Sequence, residues 1–193
     1  MTGSSTRCCR SASCLAALIV LALGAAWTSP ARADGIDVRK AALISAENGF
    51  VLEADFEVTL THTLEEALNK GVPLHFILEF ELIRPRWYWF NQKIADARQE
   101  FRLSYNALTR QYRVGLRTLY QNFSSLSEAL AFMSRVRVRD IADIGAVSKG
   151  ASYRAALRLR LDSSQLPRAF QVSAVGSREW SISSDWHRWT VSP

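Results

Sequence analysis

Residues 51–60 read Val-Leu-Glu-Ala-Asp-Phe-Glu-Val-Thr-Leu, and apolar and polar side chains alternate along nearly the whole stretch. Successive side chains of a β-strand point to opposite faces, so this period of two predicts a strand with one buried face. A helix made of the same residues would scatter the apolar side chains around its surface. The predicted buried set is Leu52, Ala54, Phe56, Val58 and Leu60, and the predicted outward set is Glu53, Asp55, Glu57 and Thr59.

The segments around this strand extend the pattern. Residues 36–46 are predicted to pair with it through a hairpin at Glu47-Asn48-Gly49, because Asn-Gly readily adopts the positive φ angles of tight turns. Two short helices are predicted over 61–71, with Thr63 as the N-cap, and over 124–134. Further strands are predicted near 74–82, 86–92, 96–105, 111–119, 152–161, 170–175 and 186–191.

Strands and helices do not alternate in this order, so parallel βαβ units are not expected. The predicted fold class is mainly β, bordering on α+β. Its expected form is an antiparallel two-layer β-sandwich or a sandwich-like barrel with two short helices. The sequence does not determine the strand order.

The N-terminal residues predict export. Arg7 and Arg10 precede an apolar block of 14 residues, Cys14–Trp27, and Ala31 and Ala33 then form a small-x-small pattern. We therefore expect residues 1–33 to be a signal peptide cleaved after Ala33, which leaves a single periplasmic β-rich domain over 34–193. An uncleaved inner-membrane anchor facing the periplasm is the alternative, although a spanning helix needs about 20 residues.

Composition narrows the chemistry of the expected mature chain. All three cysteines lie before position 15, so the mature chain would be cysteine-free, without disulfides or thiolate metal sites. Charge is unevenly divided, with a net of −7 over 34–82 and +10 over 83–193, and 20 of the 24 basic residues are arginine. Pairing of acidic and basic strands is expected to account for this division, and we expect no nucleic-acid partner.

Two groups of arginines each have two possible roles. Residues 135–140, Arg-Val-Arg-Val-Arg-Asp, place three arginines on one face at strand period, which indicates a solvated edge strand or, alternatively, a phosphate-binding face. Two acidic strand faces, Glu53, Asp55 and Glu57 and then Glu79 and Glu81, are expected to lie beside basic faces formed by Arg98 and Arg102 and by Arg154, Arg158 and Arg160. A nucleic-acid or anionic-lipid surface is the alternative for the last three arginines.

No pattern of a known active site is present. The three histidines, at 62, 75 and 187, show no zinc-binding spacing, and no nucleophile elbow or phosphate-binding glycine loop occurs. A structural role is expected for His75, with a metal site together with Glu79 as the alternative, and His187 is expected to pair with Asp185. We therefore expect no enzyme activity, no cofactor and no metal. Paired carboxylates, Glu79 and Glu81, leave an envelope hydrolase as an alternative.

Aromatic and arginine residues mark the candidate binding surface. Residues 84–90 read Arg-Pro-Arg-Trp-Tyr-Trp-Phe, and in a strand Trp87 and Trp89 would share one face. A second aromatic group, Trp186 and Trp189, lies near the C-terminus. Because Trp and Arg are enriched at binding hot spots, these positions are the candidate partner-binding residues. The set is Arg84, Arg86, Trp87, Trp89, Trp186 and Trp189.

Several segments together resemble an exported proteobacterial family, domain of unknown function 4390. They are residues 84–89, residues 105–114 (Tyr-Asn-Ala-Leu-Thr-Arg-Gln-Tyr-Arg-Val), Leu166-Pro167 with Phe170-Gln171, and the closing Trp186 and Trp189. The resemblance implies an exported protein without catalytic residues to transfer, and a link to a two-component sensor kinase.

Three functional hypotheses follow. The first is a non-enzymatic periplasmic module that binds a protein or peptide, such as an envelope protein or the outer part of a sensor, through a sheet edge or an aromatic-arginine cleft. The second is the envelope hydrolase. The third is a structural factor tethered by an uncleaved N-terminal helix, with no other membrane contact.

Overall fold

A computed structural model describes residues 35–46, 49–86, 88, 91–139, 141–142, 147–148, 150–174 and 177–192. Within these ranges the chain forms nine β-strands, three α-helices and two short 3₁₀ helices. The strands are β1 Gly35–Ala46, β2 Gly49–Thr59, β3 Leu74–Arg84, β4 Gln92–Asn106, β5 Gln111–Leu116, β6 Leu119–Phe123, β7 Arg135–Val138, β8 Tyr153–Leu161 and β9 His187–Val191. The helices are α1 His62–Asn69, α2 Leu126–Ser134 and α3 Arg168–Ala174, and the 3₁₀ helices are Ser163–Gln165 and Arg178–Trp180.

The described strands form two antiparallel sheets. The small sheet has the order β1-β2-β7, and the large sheet has the order β6-β5-β4-β3-β8-β9. In the centre of the large sheet, Glu79 of β3 lies opposite Arg98 of β4 on one side and Arg158 of β8 on the other. Strand β3 pairs with β4, which follows it in the sequence, and with β8, which lies about 70 residues further on, so periodicity alone could not establish the strand order.

Alternating apolar residues of both sheets fill one core, which confirms the predicted sandwich-like fold. On β2, Leu52 is fully buried and Phe56 is 5% exposed, as the opening pattern predicted. On β3, the buried set is Leu74, Phe76, Leu78, Phe80 and Leu82. Burial of each such side chain stabilises the fold by about 1.5–3 kcal/mol, before the loss of conformational entropy is subtracted.

The predicted hairpin of residues 36–46 with 51–60 is confirmed as β1 and β2. At the start of β2, the backbone of Phe50 exchanges two hydrogen bonds of 3.1 Å with residues 141 and 142. A Cβ atom at Gly49 would lie 2.7 Å from the carbonyl oxygen of Ala142. Glycine is therefore required at this position by the close approach of a second chain segment.

The two predicted helices are present as α1 and α2. The N-cap of α1 is Thr61 and not Thr63, because Leu64 N–H donates to Thr61 Oγ1 at 3.3 Å. The Thr63 hydroxyl instead donates to Glu179 Oε2 at 2.8 Å. Helix α2 begins after Ser125, whose Oγ accepts from Glu128 N–H at 3.2 Å. Sequence spacing located both helices but assigned one cap two residues too late.

Three predicted elements differ from the structure. The strand near 86–92 is absent from the described residues of that stretch, since β3 ends at Arg84 and β4 begins at Gln92. The strand predicted near 111–119 ends as β5 at Leu116, and the chain turns at Arg117, with φ 53°, into β6, which continues to Phe123. The strand near 170–175 is helix α3, which follows Pro167, a residue whose fixed φ suits the start of a helix. The described residues thus contain three helices where two were expected.

Asp34–Pro193 groups as one compact unit. In the part of the chain that the structure describes, no helix combines the length and apolar character needed to cross a bilayer.

Candidate partner-binding surface of the large sheet

The outer face of the large sheet, turned away from the core, carries a partly buried ion cluster centred on Glu79. Arg158 Nε donates to Glu79 Oε2 at 3.1 Å, and Arg160 Nη2 donates to Glu79 Oε1 at 3.1 Å. Arg158 Nη2 donates to Glu79 as well. Because the three side chains are only 21–30% exposed, solvent screens these contacts less than it screens a surface pair. The predicted pairing of acidic and basic strands is confirmed here.

The pKa of Glu79 reflects two opposing causes. Partial burial would raise the pKa, but the hydrogen bonds and positive charges of Arg158 and Arg160 outweigh burial and hold the pKa below its ordinary value. Glu79 is therefore ionised at neutral pH. A carboxylate fixed in this way suits a structural ion pair better than the proton transfer that a hydrolase needs.

Trp186 lies on the same outer face. The Arg158 guanidinium stands 4.5 Å from the centre of the Trp186 ring, in a cation–π arrangement. The segment before it runs beside β8, where Leu161 N–H donates to Ile182 O at 2.9 Å and Ser184 N–H donates to Leu159 O at 2.9 Å. These backbone contacts fix the approach of Trp186 to the ion cluster.

Trp189 lies on the opposite face of the large sheet. It stands opposite buried Ala155 in β8, and its ring centre is 6.2 Å from that of Phe80 in the core. Trp186 and Trp189 therefore do not form one binding surface, contrary to their grouping by sequence. Trp189 contributes to packing, and Trp186 contributes to the outer face.

The arginines of the opening aromatic stretch lie at the end of β3. Arg84 stands opposite Gln92 in the β3–β4 pairing, and Arg86 donates to the side-chain oxygen of Gln92. Trp87 and Trp89 lie outside the described residues, so their assignment to a binding surface remains a prediction. The intervening Tyr88 is 69% exposed.

A shallow depression of about 300 Å³ lies on the outer face between β4 and β8. Its charged walls are partly neutralised: Lys93 lies 3.6 Å from Glu81 and 3.4 Å from Asp96. Glu79, Arg98, Arg158 and Trp186 complete its main lining. A depression with acids and bases in contact offers little net field to a single small ion.

The acidic strand β2 finds its basic partners within the small sheet. Arg39 Nε donates to Glu57 Oε2 at 2.8 Å, and Arg137 Nη2 lies 3.1 Å from Glu53 Oε1. The partners therefore come from β1 and β7 and not from the arginines of β4 and β8. The Arg-rich run of residues 135–138 is strand β7, at one edge of the small sheet, as the edge interpretation predicted.

The structure reveals a different candidate, which we call the β6 edge and define as Leu119–Phe123. Strand β6 ends the large sheet on one side, and four of its five residues are exposed. Its sequence, Leu-Tyr-Gln-Asn-Phe, carries no charge and no proline. Leu119 is 73% exposed and Tyr120 is 59% exposed. The predicted 111–119 strand reached only Leu119, the first residue of β6, so the sequence reading missed this edge.

The inner neighbour of the β6 edge explains how Tyr120 is held. Tyr120 lies opposite Gly115 in β5, and a Cβ at Gly115 would meet the Tyr120 ring at 2.8 Å. The absence of a side chain lets the ring lie across the backbone, and Arg113 stands 5.9 Å from the ring centre. The aromatic ring is therefore displayed on the outer face in a defined position.

Comparison with known proteins gives one family. The sequence model described as domain of unknown function (DUF4390) matches residues 33–190. The chain belongs to the DUF4390 family. The resemblance drawn from the residues alone is thereby confirmed. No curated protein and no solved structure shows significant similarity to this DUF4390 chain.

The histidines of this DUF4390 chain do not converge. Burial and the nearby charge of Arg102 lower the pKa of His75, which favours a neutral imidazole. His187 lies in ring contact with Trp189, at 5.6 Å between centres, rather than in the predicted pair with Asp185. Among the described residues, no group of three or more His, Cys, Asp or Glu side chains could hold a metal ion.

Proposed function

We propose that this chain is an exported, non-enzymatic module that binds a protein or peptide in the periplasm by adding a strand to the β6 edge. The observation that carries the proposal is the exposure of β6 as an uncharged edge strand. The outer backbone groups of such a strand are available for pairing with a further chain. The partner we propose is the periplasmic part of a membrane sensor, in keeping with the link that the family resemblance implies.

The other described edges support the choice of β6. Strand β1 carries Asp37, Arg39 and Lys40, and its pairing is irregular between Val38 and Lys40. Strand β7 presents Arg135 and Arg137, and β9, the opposite edge of the large sheet, carries Arg188. Charges and bulges at an edge oppose the addition of a further strand, and β6 has neither in its sequence or its pairing with β5.

The hydrolase alternative is less well supported. It requires two carboxylates whose pKa values are separated, so that one can donate a proton. Glu79 is hydrogen-bonded by two arginines, and Glu81 lies 3.6 Å from Lys93. Both carboxylates are engaged by basic side chains, and this supports a non-enzymatic role.

The test compares two lysine substitutions at exposed leucines. Leu119→Lys places a charge on the β6 edge, whereas Leu108→Lys places the same charge on the β4–β5 turn, where Leu108 is 96% exposed. Both variants should unfold within about 0.5 kcal/mol of the wild type. A photo-crosslinker at Gln121 should join the wild type, in envelope extracts, to the periplasmic part of a sensor. Leu119→Lys should reduce this product severalfold, and Leu108→Lys should not.

Equal crosslinking of the wild type and both variants would contradict the proposal. A crosslinked product that is a second copy of this chain would identify self-association at β6 instead of a sensor partner.

A further inference from the structure

An arginine cluster surrounds the β6 edge, and we define it as Arg102, Arg110, Arg113 and Arg117. Residues 101–127 contain these four basic residues and no acidic residue. All four side chains are exposed. Among the described residues, none of the four lies in an ion pair with a carboxylate, whereas Arg39, Arg137, Arg158 and Arg160 all do. The cluster therefore carries positive charge that no ion pair among the described residues neutralises.

The cluster follows the length of β6. Arg117 occupies the turn that leads into β6, and Arg110 occupies the turn between β4 and β5. Between them, Arg113 Nε donates to Asn122 Oδ1 of β6 at 3.1 Å. Arg102 of β4 lies opposite Gly115 of β5, which in turn lies opposite Tyr120 of β6. A strand added beside β6 would thus lie close to positive charge at both ends and along its outer face.

The other face of the β6 edge is apolar. Leu119, Gln121 and Phe123 alternate with Tyr120 and Asn122, so they point to the inner side of the sheet. The Phe123 ring lies 5.3 Å from that of Phe132 on helix α2, and Phe132 is 38% exposed. With Leu119 exposed as well, this side offers apolar contacts to a neighbouring strand.

We propose that the β6 edge receives an extended partner segment in which acidic and apolar residues alternate. The acidic residues would face the arginine cluster, and the apolar residues would face Leu119 and Phe132. Two observations together determine this pattern, namely the uncompensated charge on one side of β6 and the exposed apolar side chains on the other. The inference rests on the proposed function and specifies the chemistry of its partner.

The test uses three fluorescein-labelled peptides and the chain over residues 34–193. The peptides are Thr-Val-Glu-Val-Glu-Val-Thr and its counterparts with glutamine or lysine in place of glutamate. By fluorescence anisotropy at low salt, the glutamate peptide should bind about tenfold or more tightly than either counterpart. Its affinity should fall as NaCl rises from 20 to 300 mM, because salt screens exposed charges.

Matched variants locate the binding. Arg113→Gln with Arg117→Gln should weaken the glutamate peptide at least severalfold. Arg154→Gln with Arg188→Gln removes the same charge from exposed positions on β8 and β9 and should leave its affinity unchanged. Leu119→Lys should also weaken binding, despite its added positive charge, because it disrupts the apolar side and the edge.

The outcomes separate this inference from the proposed function. If glutamate and glutamine peptides bind equally and Leu119→Lys weakens both, the acidic specificity is wrong and strand addition stands. If no peptide binds, the inference is overturned, and the crosslinking experiment decides the proposed function by itself. If vesicles of phosphatidylglycerol bind the protein through the arginine cluster and Leu119→Lys has no effect, the cluster recognises a lipid surface and the inference is overturned.

Discussion

At the scale of single residues, Glu79 is the side chain with the most specific electrostatic role. Two arginines of β8 hold it in a cluster beside Trp186. The sequence predicted that acidic and basic strand faces would meet, because the charges alternate with the same period as the apolar residues. It could not predict which arginines reach Glu79, since that depends on the register of β3 with β8.

We predict that Glu79→Gln destabilises the fold by about 1–2 kcal/mol at pH 7, because it removes a charge that accepts several hydrogen bonds. The folded-state pKa of Glu79 is below its unfolded value of 4.5, so this stabilisation is present above that pH. It is lost as the pH falls through the folded-state pKa. Urea unfolding of wild type and variant at pH 7, 5 and 3 should therefore show a difference that shrinks with acidity.

Glu100→Gln is the control for this prediction. Glu100 lies 3.5 Å from Arg98 but is 61% exposed, and exposed pairs contribute about 0–1 kcal/mol. A loss of stability for Glu79→Gln that stays constant from pH 7 to pH 3 would show that shape, rather than charge, is the cause.

Trp189 and Trp186 should respond differently to truncation. Trp189→Ala removes an aromatic side chain that packs on Phe80, and we expect a loss of about 2–4 kcal/mol in urea unfolding. Trp186→Ala removes a contact with one arginine, and we expect a loss of about 1 kcal/mol. Equal losses, or a larger loss for Trp186→Ala, would contradict the placement of the two rings on opposite faces.

At the scale of elements, periodicity correctly located the strands in which apolar and polar residues alternate strictly. It failed in segments where the alternating pattern covers only a few residues. Strand β3 and strand β8 were predicted closely because each buries a continuous row of apolar residues. Helix α3 was misread as a strand because Phe170 and its neighbours suggest a short apolar stretch. In the structure, Phe170 packs on Trp180 at 5.3 Å, a contact between residues that no local pattern joins.

The cap of α1 provides a test at this scale. Thr61→Ala should cost about 1–2 kcal/mol, because Thr61 Oγ1 accepts from Leu64 N–H and its hydroxyl also donates to Glu179 O at 2.7 Å. Thr63→Ala, at the position that spacing favoured, should cost about 0.5–1 kcal/mol because only its bond to Glu179 is lost. Thermal unfolding of both variants measures the two losses of stability. A larger loss for Thr63→Ala than for Thr61→Ala would indicate that Thr63 is the N-cap.

At the scale of the whole molecule, the sequence predicted the sandwich but not the division of nine strands between its sheets. Strand order depends on pairings between distant segments, such as β2 with β7 and β3 with β8. The candidate site could not be predicted from the sequence for the same reason. The β6 edge became recognisable only when the order showed that β6 ends the large sheet, although the run of arginines without acids was visible in the sequence.

The predicted leader is tested by the exported protein itself. We expect N-terminal sequencing of the periplasmic fraction to begin at Asp34, as the small-x-small pattern before it indicates. A chain over residues 34–193 should unfold in one cooperative transition, since these residues group as one compact unit. Recovery of the protein with residues 1–33 attached, in the membrane fraction, would support the tethered alternative.

The pairing of β3 with β8 has a kinetic consequence. Glu79 and Arg158 are 79 positions apart, so the middle of the large sheet closes only after the long segment between them has been ordered or looped out. Closing such a loop costs entropy before any contact repays it, and topologies of this kind fold in milliseconds to seconds. During that interval β3, one of the most apolar segments, lacks its β8 partner along one edge, and that edge is exposed to aggregation. A nascent chain that ends before residue 153 therefore leaves this edge of β3 without its native partner.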